Sequence, residues 1–391
     1  MSQLQINHSK DILDLINEGF SIEIVNGHII VKDIPYVNEQ KEINKGTLIT
    51  ELTLSGNRTI KPSCHTIKFS GSFPCNKDGK AIEQIRHMSL NENIAGHQIN
   101  FSFSNKPQNG YDDYFHKINN YINIISSPAA SLDENISAKT FKSFVDKSGD
   151  EVFQYYDTNS SRAGISNISD KLKSLKIGIV GLGGTGSYIL DFVSKTHVKE
   201  IHLYDGDDFV THNAFRAPGA ASIEKLSQAP LKVEYFKETY SEMHKNIVTH
   251  TDFINSSNVT QLSELDFVFV SIDKGKVKKV IIDYLLDKEI PFIDVGMGIE
   301  VVDNKLLGIL RTTSYSKKNK EHIGKRISFE DRDDDEYSTN IQIAELNAFN
   351  AVMAIIKWKK YFGIYQDFEN EEFSSYSINV NMLLGEDNNE T

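Results

Sequence analysis

The chain has 391 residues, 39% hydrophobic and 25% charged, with a formal net charge of −12 at pH 7. That length suits two or three domains of roughly 150 residues, and the acidic balance argues against non-specific nucleic-acid binding, which needs phosphate-neutralising Lys and Arg. No apolar run approaches ~18 residues, so no membrane span is expected, and residues 1–8 lack a charged-then-apolar leader pattern, which makes a cytoplasmic location the expectation.

Residues 1–150 read as a separate α+β domain. Apolar segments at 20–25 and 28–32 flank Asn26-Gly27, a pair that tolerates the positive φ of a tight hairpin turn. Segments 47–54 and 66–72 also read as strands, and the apolar positions of 111–126 fit a helix as well as a strand. The two cysteines, Cys64 and Cys75, make neither a metal knuckle nor a disulfide framework. Cys75 lies in a Pro- and Gly-flanked stretch that predicts an exposed thiol beside Lys77, and it is the better candidate for a reactive one. Residues 130–172 read as a connector, polar and turn-rich at 157–164.

From 175 onward strands and helices alternate, and 151–391 reads as a second domain. A buried strand at 175–180 runs into Gly181-Leu182-Gly183-Gly184-Thr185-Gly186 and then a helix over 187–193. A second strand, 200–204, ends in Asp205. A strand at 265–272, a helix at 276–287 and a strand at 291–295 follow, then shorter strands at 299–302 and 306–312. The polar segment 314–337, with an acidic run at 330–336, reads as a solvated loop. A helix over 340–361 and a strand around 377–384 close the chain. This alternation predicts an α/β class with a Rossmann-like, mostly parallel sheet covered by helices on both faces.

A glycine turn between a parallel strand and a helix N-terminus is an anion site, because free N–H groups point at a phosphate that glycines let approach. A carboxylate at the end of the second strand, here Asp205, can bind ribose hydroxyls. Strand ends meet at the switch-point crevice, so Asp205, Asn213, Arg216, Lys232 and Asp273 can surround one ligand. Two cations, one amide and two carboxylates suit a polyphosphate with a divalent metal. A nicotinamide hydride site needs less charge. An NAD(P)-dependent oxidoreductase and a non-catalytic nucleotide-binding regulator remain the alternatives.

The glycine turn, the run Asp205-Gly206-Asp207-Asp208-Phe209-Val210-Thr211-His212-Asn213-Ala214-Phe215-Arg216, Lys232 and the Ser271-Ile272-Asp273-Lys274 turn resemble the nucleotide-binding domain of ubiquitin-activating enzymes and their bacterial adenylyltransferase relatives of the ThiF, MoeB and HesA type. The resemblance spans about 162–361, including the segment 340–348. It implies ATP and Mg²⁺ as cofactors. In its terms Gly181, Gly183, Gly184 and Gly186 cradle phosphates, Asp205 holds the ribose and Asp207 also binds the nucleotide. Asn213, Arg216 and Lys232 contact the triphosphate, Asp273 organises magnesium, and Arg162 reaches into a neighbouring subunit's site. The implied reaction is attack on ATP by the C-terminal carboxylate of a ubiquitin-like or sulfur-carrier protein, with release of pyrophosphate. The implied partners are that carrier, a conjugating enzyme and a second copy of the chain, with no nucleic acid or membrane. The N-terminal domain resembles one fused to activating enzymes in bacterial ubiquitin-like operons, which implies carrier or conjugating-enzyme recognition.

Two departures stand out. Ala217 replaces a Gln that usually follows the motif arginine, and 151–391 contains no cysteine. Any thioester on this chain must therefore use Cys64 or Cys75, unless a partner enzyme supplies the thiol, and stopping at the adenylate is the favoured outcome. His212 reads as a loop residue, and Lys274, Lys276, Lys278 and Lys279 read as a solvated helix start. The ending at 387–391 lacks a diglycine, so the chain is not expected to be a carrier itself.

Overall fold

The computed structural model describes residues 9–56, 58–142, 152–330 and 341–388. The chain divides into two compact units between Ser166 and Asn167.

The first unit is built on a six-stranded antiparallel sheet in the order Ser21–Val25, His28–Val37, Ile43–Glu51, Thr66–Ser70, His97–Ser104, Arg86–Ile94. The first hairpin turns at Asn26 and Gly27, with φ of 48° and 72°, as the twist of the paired strands demands. Residues 111–126 resolve into the helix Tyr114–Ala130. Its N-cap is Asp113, whose carboxylate accepts the His116 N–H at 2.7 Å. The three- and four-residue spacing of Tyr114, Ile118, Tyr121, Ile122 and Ile125 makes one apolar stripe, and it buries against Ile29, Leu48, Phe69 and Phe103 of the sheet.

The boundary between the domains falls later than composition suggested, at 166 rather than 150. The helix Thr158–Arg162, inside the predicted connector, is fastened to the helix Lys10–Asn17. There Asn17 Nδ2 donates to Ser161 Oγ at 3.2 Å. Polar, turn-like composition at 157–164 supplies this cap and contact instead of a free tether, with Asp157 accepting the Ser160 N–H at 3.0 Å.

The second unit carries an eight-stranded sheet. Five parallel strands come first, ordered Ile247–His250, Glu200–Tyr204, Lys176–Val180, Phe267–Val270, Phe292–Val302. Lys305–Tyr315, Glu371–Ser377 and Met382–Asn388 then add antiparallel. In chain order the parallel part reads 3-2-1-4-5, so the direction of winding reverses between Lys176–Val180 and Phe267–Val270. That is where a ligand crevice opens in such folds. The segments expected at 291–295 and 299–302 are one strand, because Gly296 and Gly298 interrupt its apolar pattern without interrupting its pairing. It turns back at Asp303 and Asn304, both at positive φ.

Helices Gly184–Val193 and Ala344–Tyr361 cover one face of this sheet, with Ile189, Val193, Ala354 and Trp358 in its core. Helix Gly275–Asp287 covers the other through Ile281, Ile282 and Leu285 against Val268, Val270 and Phe292. The segment expected to be a solvated loop is partly packed: His322, Ile323 and Ile327, around a short helix Ile323–Arg326, are buried beside Tyr315. Residues 331–336 of the acidic run and Asn340 lie outside the described residues. Among the described residues no helix is long and apolar enough to cross a membrane.

Candidate functional site

Four glycines shape the turn after Lys176–Val180, and three of them are required by close contact. Gly181 takes φ +90°, and a Cβ there would meet the Ser271 carbonyl oxygen at 2.4 Å. A Cβ at Gly186 would meet the Gly181 carbonyl oxygen at 1.9 Å, and one at Gly184 would meet the Asn347 amide at 2.0 Å. Gly183 differs: among the described residues nothing lies within 4 Å of the position its Cβ would take. It is the N-cap of helix Gly184–Val193, so unspent N–H groups of the first turn border this open space. A phosphate fits such a cradle.

Asp205 anchors the turn. Its Oδ2 accepts the Leu182 N–H at 2.7 Å and its Oδ1 the Asp207 N–H at 2.9 Å. Asp205 is buried, whereas the Asp207 side chain is 56% exposed, so Asp207 is the carboxylate left open on this rim. Lys232, buried at the start of helix Lys232–Ser241, lies 2.6 Å from Asp207 Oδ2 and 3.6 Å from Asp205 Oδ1. The structure thus brings the helix lysine and both acidic residues into one charge group.

Arg216 completes the rim. Its Nε is buried and has no hydrogen-bond partner among the described residues. Burial pushes the guanidinium pKa down, while the charges of Asp273 and Asp207 pull it back up. A buried donor of this kind can be satisfied by a bound ligand. Asn213 closes the turn that presents Arg216, its Oδ1 accepting the Val210 N–H at 3.0 Å. Asp273 is exposed just past Phe267–Val270. Among the described residues no group of three or more His, Cys, Asp or Glu side chains could hold a metal. A divalent cation here would take Asp273 with phosphate oxygens and water, the ordinary habit of Mg²⁺.

Sequence reasoning missed Asn347. Fully buried in helix Ala344–Tyr361, it accepts the Thr185 hydroxyl at 3.0 Å and points its amide at the Arg216 carbonyl oxygen, 3.5 Å away. A buried amide on an apolar helix face was the available signal. Arg162 belongs to the first unit, where it lines a groove with Asp14, Asn17, Glu18 and Phe115. His212 is exposed on the short helix Thr211–Ala214, and Ala217, where the resemblance expects a Gln, is buried in the apolar core.

Two expectations are corrected. Lys278 is not solvated: it is buried 2.8 Å from Asp294 Oδ1, because the helix turns this lysine inward onto the sheet. The cysteines exchange places. Cys75 is buried, its thiol pKa pushed up by burial and by Glu39 and Asp78, whereas Cys64 is exposed. The Pro-flanked stretch is drawn in by strand-like bonds, with Cys75 N donating to the Val37 carbonyl oxygen at 2.7 Å.

A 3-2-1-4-5 parallel sheet with a glycine cradle, an orphaned arginine and a buried lysine at its switch point defines a nucleotide-binding α/β domain. Residues 115–334, more than half of the chain, match the ThiF family, and the chain belongs to it. Residues 10–158 match a domain of unknown function, DUF6791. The chain is 28% identical over 121 residues to the tRNA threonylcarbamoyladenosine dehydratase of Escherichia coli (30% of this chain, 44% of that protein). It is 30% identical over 130 residues to that of Haemophilus influenzae (32% and 49%). The chain therefore spans about half the length of the curated relatives it matches. Among solved structures, E. coli MccB with ATP is similar at 19% identity and a TM-score of 0.43, covering 57% of this chain and 67% of that one. PaaA is similar at 17% identity and a TM-score of 0.44, covering 56% and 75%.

Proposed function

We propose that the chain is an ATP-dependent adenylyltransferase that activates the C-terminal carboxylate of a ubiquitin-like or sulfur-carrier protein. The observation that carries this reading is the Arg216 Nε, buried and without a partner among the described residues, in a domain whose glycine turn leaves Gly183 open. The cradle and helix N-terminus hold the phosphates, and we assign the ribose to the exposed Asp207 rather than to Asp205, whose two oxygens already accept the Leu182 and Asp207 N–H groups. Arg216 and Lys232 neutralise charge that develops as pyrophosphate leaves, and Asp273 supports Mg²⁺. Lys232 exchanges its carboxylate partners for phosphate oxygens when ATP enters. A carboxylate is already a nucleophile at neutral pH, so no side-chain base is required. The site residues are thus Arg216, Lys232 and Asp273 for the chemistry, with the glycines, Asp205 and Asn213 shaping the pocket. We take the enzyme to be cytoplasmic and homodimeric, with Arg162 serving the second copy.

The relatives' name raises a second acceptor, a carboxylate carried on tRNA. The net charge of −12 favours a protein acceptor over a polyanion. The test is pyrophosphate–ATP exchange with Mg²⁺, comparing a diglycine-ended carrier with threonylcarbamoylated tRNA. Exchange stimulated by the carrier and lost in Asp273→Ala and Arg216→Ala supports the reading. Exchange driven by tRNA alone replaces the acceptor, and NAD binding without any ATP effect in a thermal-shift titration overturns the whole assignment.

A further inference from the structure

The first unit contains a buried charge that none of the foregoing uses. Lys117, on helix Tyr114–Ala130, is 1% exposed. Its Nζ donates to Thr50 Oγ1 and to the Cys64 carbonyl oxygen, both at 2.8 Å. Neither partner is a carboxylate, and Lys117 makes no ion pair with any of the described residues. An ammonium has three N–H donors, so one remains. A buried charge without a counter-ion is costly, and native proteins almost always pair it. Burial accordingly pushes the Lys117 amine down to about 8, against the opposing pull of Cys64 and Glu51.

Lys117 lines a cavity of about 80 Å³ shared with Thr50, Glu51, Cys64, Thr66 and Lys68. Cys64 Sγ lies 2.9 Å from Thr66 Oγ1 and accepts the Thr66 N–H at 3.4 Å. Burial acts to raise this thiol's pKa, but the Thr66 hydrogen bonds and the Lys117 charge outweigh it and bring it down. The charges around the cavity select the ligand. Lys68 is already paired with Glu92 at 2.8 Å. Glu51 and His28 also line the cavity. A single negative charge is enough to neutralise Lys117, and the second charge of a dianion would be left uncompensated beside Glu51.

We propose that this cavity binds a carboxylate group, with the Lys117 ammonium as its counter-ion and the Cys64 thiol beside it. The carboxylate belongs either to a small free acid or to a peptide C-terminus. The inference is independent of the adenylation reading, since every residue in it lies in the first unit.

Affinity alkylation of the full-length protein tests it. The Cys64 thiolate displaces iodide from iodoacetate to give an S-carboxymethyl group, or from neutral iodoacetamide to give the amide, and peptide mass spectrometry reads each rate at Cys64. With an ordinary thiol the anionic reagent is the slower one. Here iodoacetate reacts faster, its rate saturates with concentration, and acetate protects. The ratio of the two rates cancels the thiolate fraction, and it falls about tenfold in Lys117→Met. Saturation and protection are read on the unaltered protein, so a folding defect in the variant does not spoil the test. Protection by a Gly-Gly-ended peptide but not by its C-terminal amide assigns a chain terminus, and protection by acetate alone assigns a small acid. A ratio below one that Lys117→Met leaves unchanged, with no saturation and no protection, overturns the proposal.

Discussion

Thr185 donates its hydroxyl to Asn347 Oδ1 at 3.0 Å, joining the glycine turn to a helix that starts about 160 residues later in the chain. Both residues are buried, and the same amide fills the space where a Cβ on Gly184 would stand. Asn347→Leu keeps the volume but strands the Thr185 hydroxyl. It should cost about 1–3 kcal/mol in urea unfolding and shrink the thermal shift produced by ATP. Adding Thr185→Val removes the stranded group and should recover most of the stability but not the ATP response. If Asn347→Leu alone left both measurements unaltered, the turn would not depend on this bond.

The glycines separate folding from binding. Gly186→Ala must displace the Gly181 carbonyl from 1.9 Å, so it should unfold at a clearly lower temperature than the wild type. Gly183→Ala adds a methyl where no described residue lies within 4 Å and keeps an allowed φ of −71°, so beyond the modest cost of Ala at an N-cap its melting temperature should stay within ~4 °C of the wild type. Under the proposed function that methyl occupies the phosphate position, and ATP should no longer raise the melting temperature. A Gly183→Ala protein that still responds fully to ATP would move the phosphates elsewhere.

Much of the second unit was legible in the sequence because its signals are local. The glycine turn, the strand ending at Asp205 and the apolar strand leading to Ser271 each carry their own pattern. The parallel order then follows from alternation and right-handed crossovers. What escaped depends on distant partners. Asn347 looks like any polar residue in an apolar helix until Thr185 is set against it. Cys75 looks exposed from its Pro and Gly neighbours, yet pairing with Val37 draws it inward. Lys278 belongs to a run of lysines, and only the helix phase singles it out to meet Asp294.

That last pair yields a test of burial. Lys278 and Asp294 have side chains 8% and 7% exposed. Burial raises the Asp294 carboxyl pKa, while Lys278 and Arg311 work to lower it. Lys278→Met removes the nearer cation and leaves a buried carboxylate facing an apolar chain. The cost should be about 3–5 kcal/mol at pH 7. Protonation then relieves it, so the deficit should shrink as pH falls from 7 to 5. Lys278→Met with Asp294→Asn should recover much of the loss at pH 7. A single variant as stable as the wild type at pH 7 would mean that the pair is well solvated.

His244 supplies a pH dependence with a definite sign. It is fully buried, with Nε2 3.0 Å from the Val198 carbonyl oxygen and Nδ1 accepting the Asn246 N–H at 3.2 Å. Those two bonds require a proton on Nε2 and none on Nδ1, so the neutral ring is the one the fold accommodates. Burial pushes its pKa down to about 4, although the Val198 hydrogen bond resists. An unfolded histidine titrates near 6.5. The folded pKa is the lower of the two. Stability from this group is therefore complete above about pH 6.5 and is lost as pH falls toward 4, where the unfolded chain is protonated and the native chain is not. The total is about 3 kcal/mol. His244→Gln, which retains a donor for Val198 but does not titrate, should be less stable than the wild type at pH 7.5 and should lose about 2–3 kcal/mol less on acidification to pH 4.5. Urea midpoints for the two proteins at both pH values decide it, and parallel losses would show that His244 is already solvated in the native state.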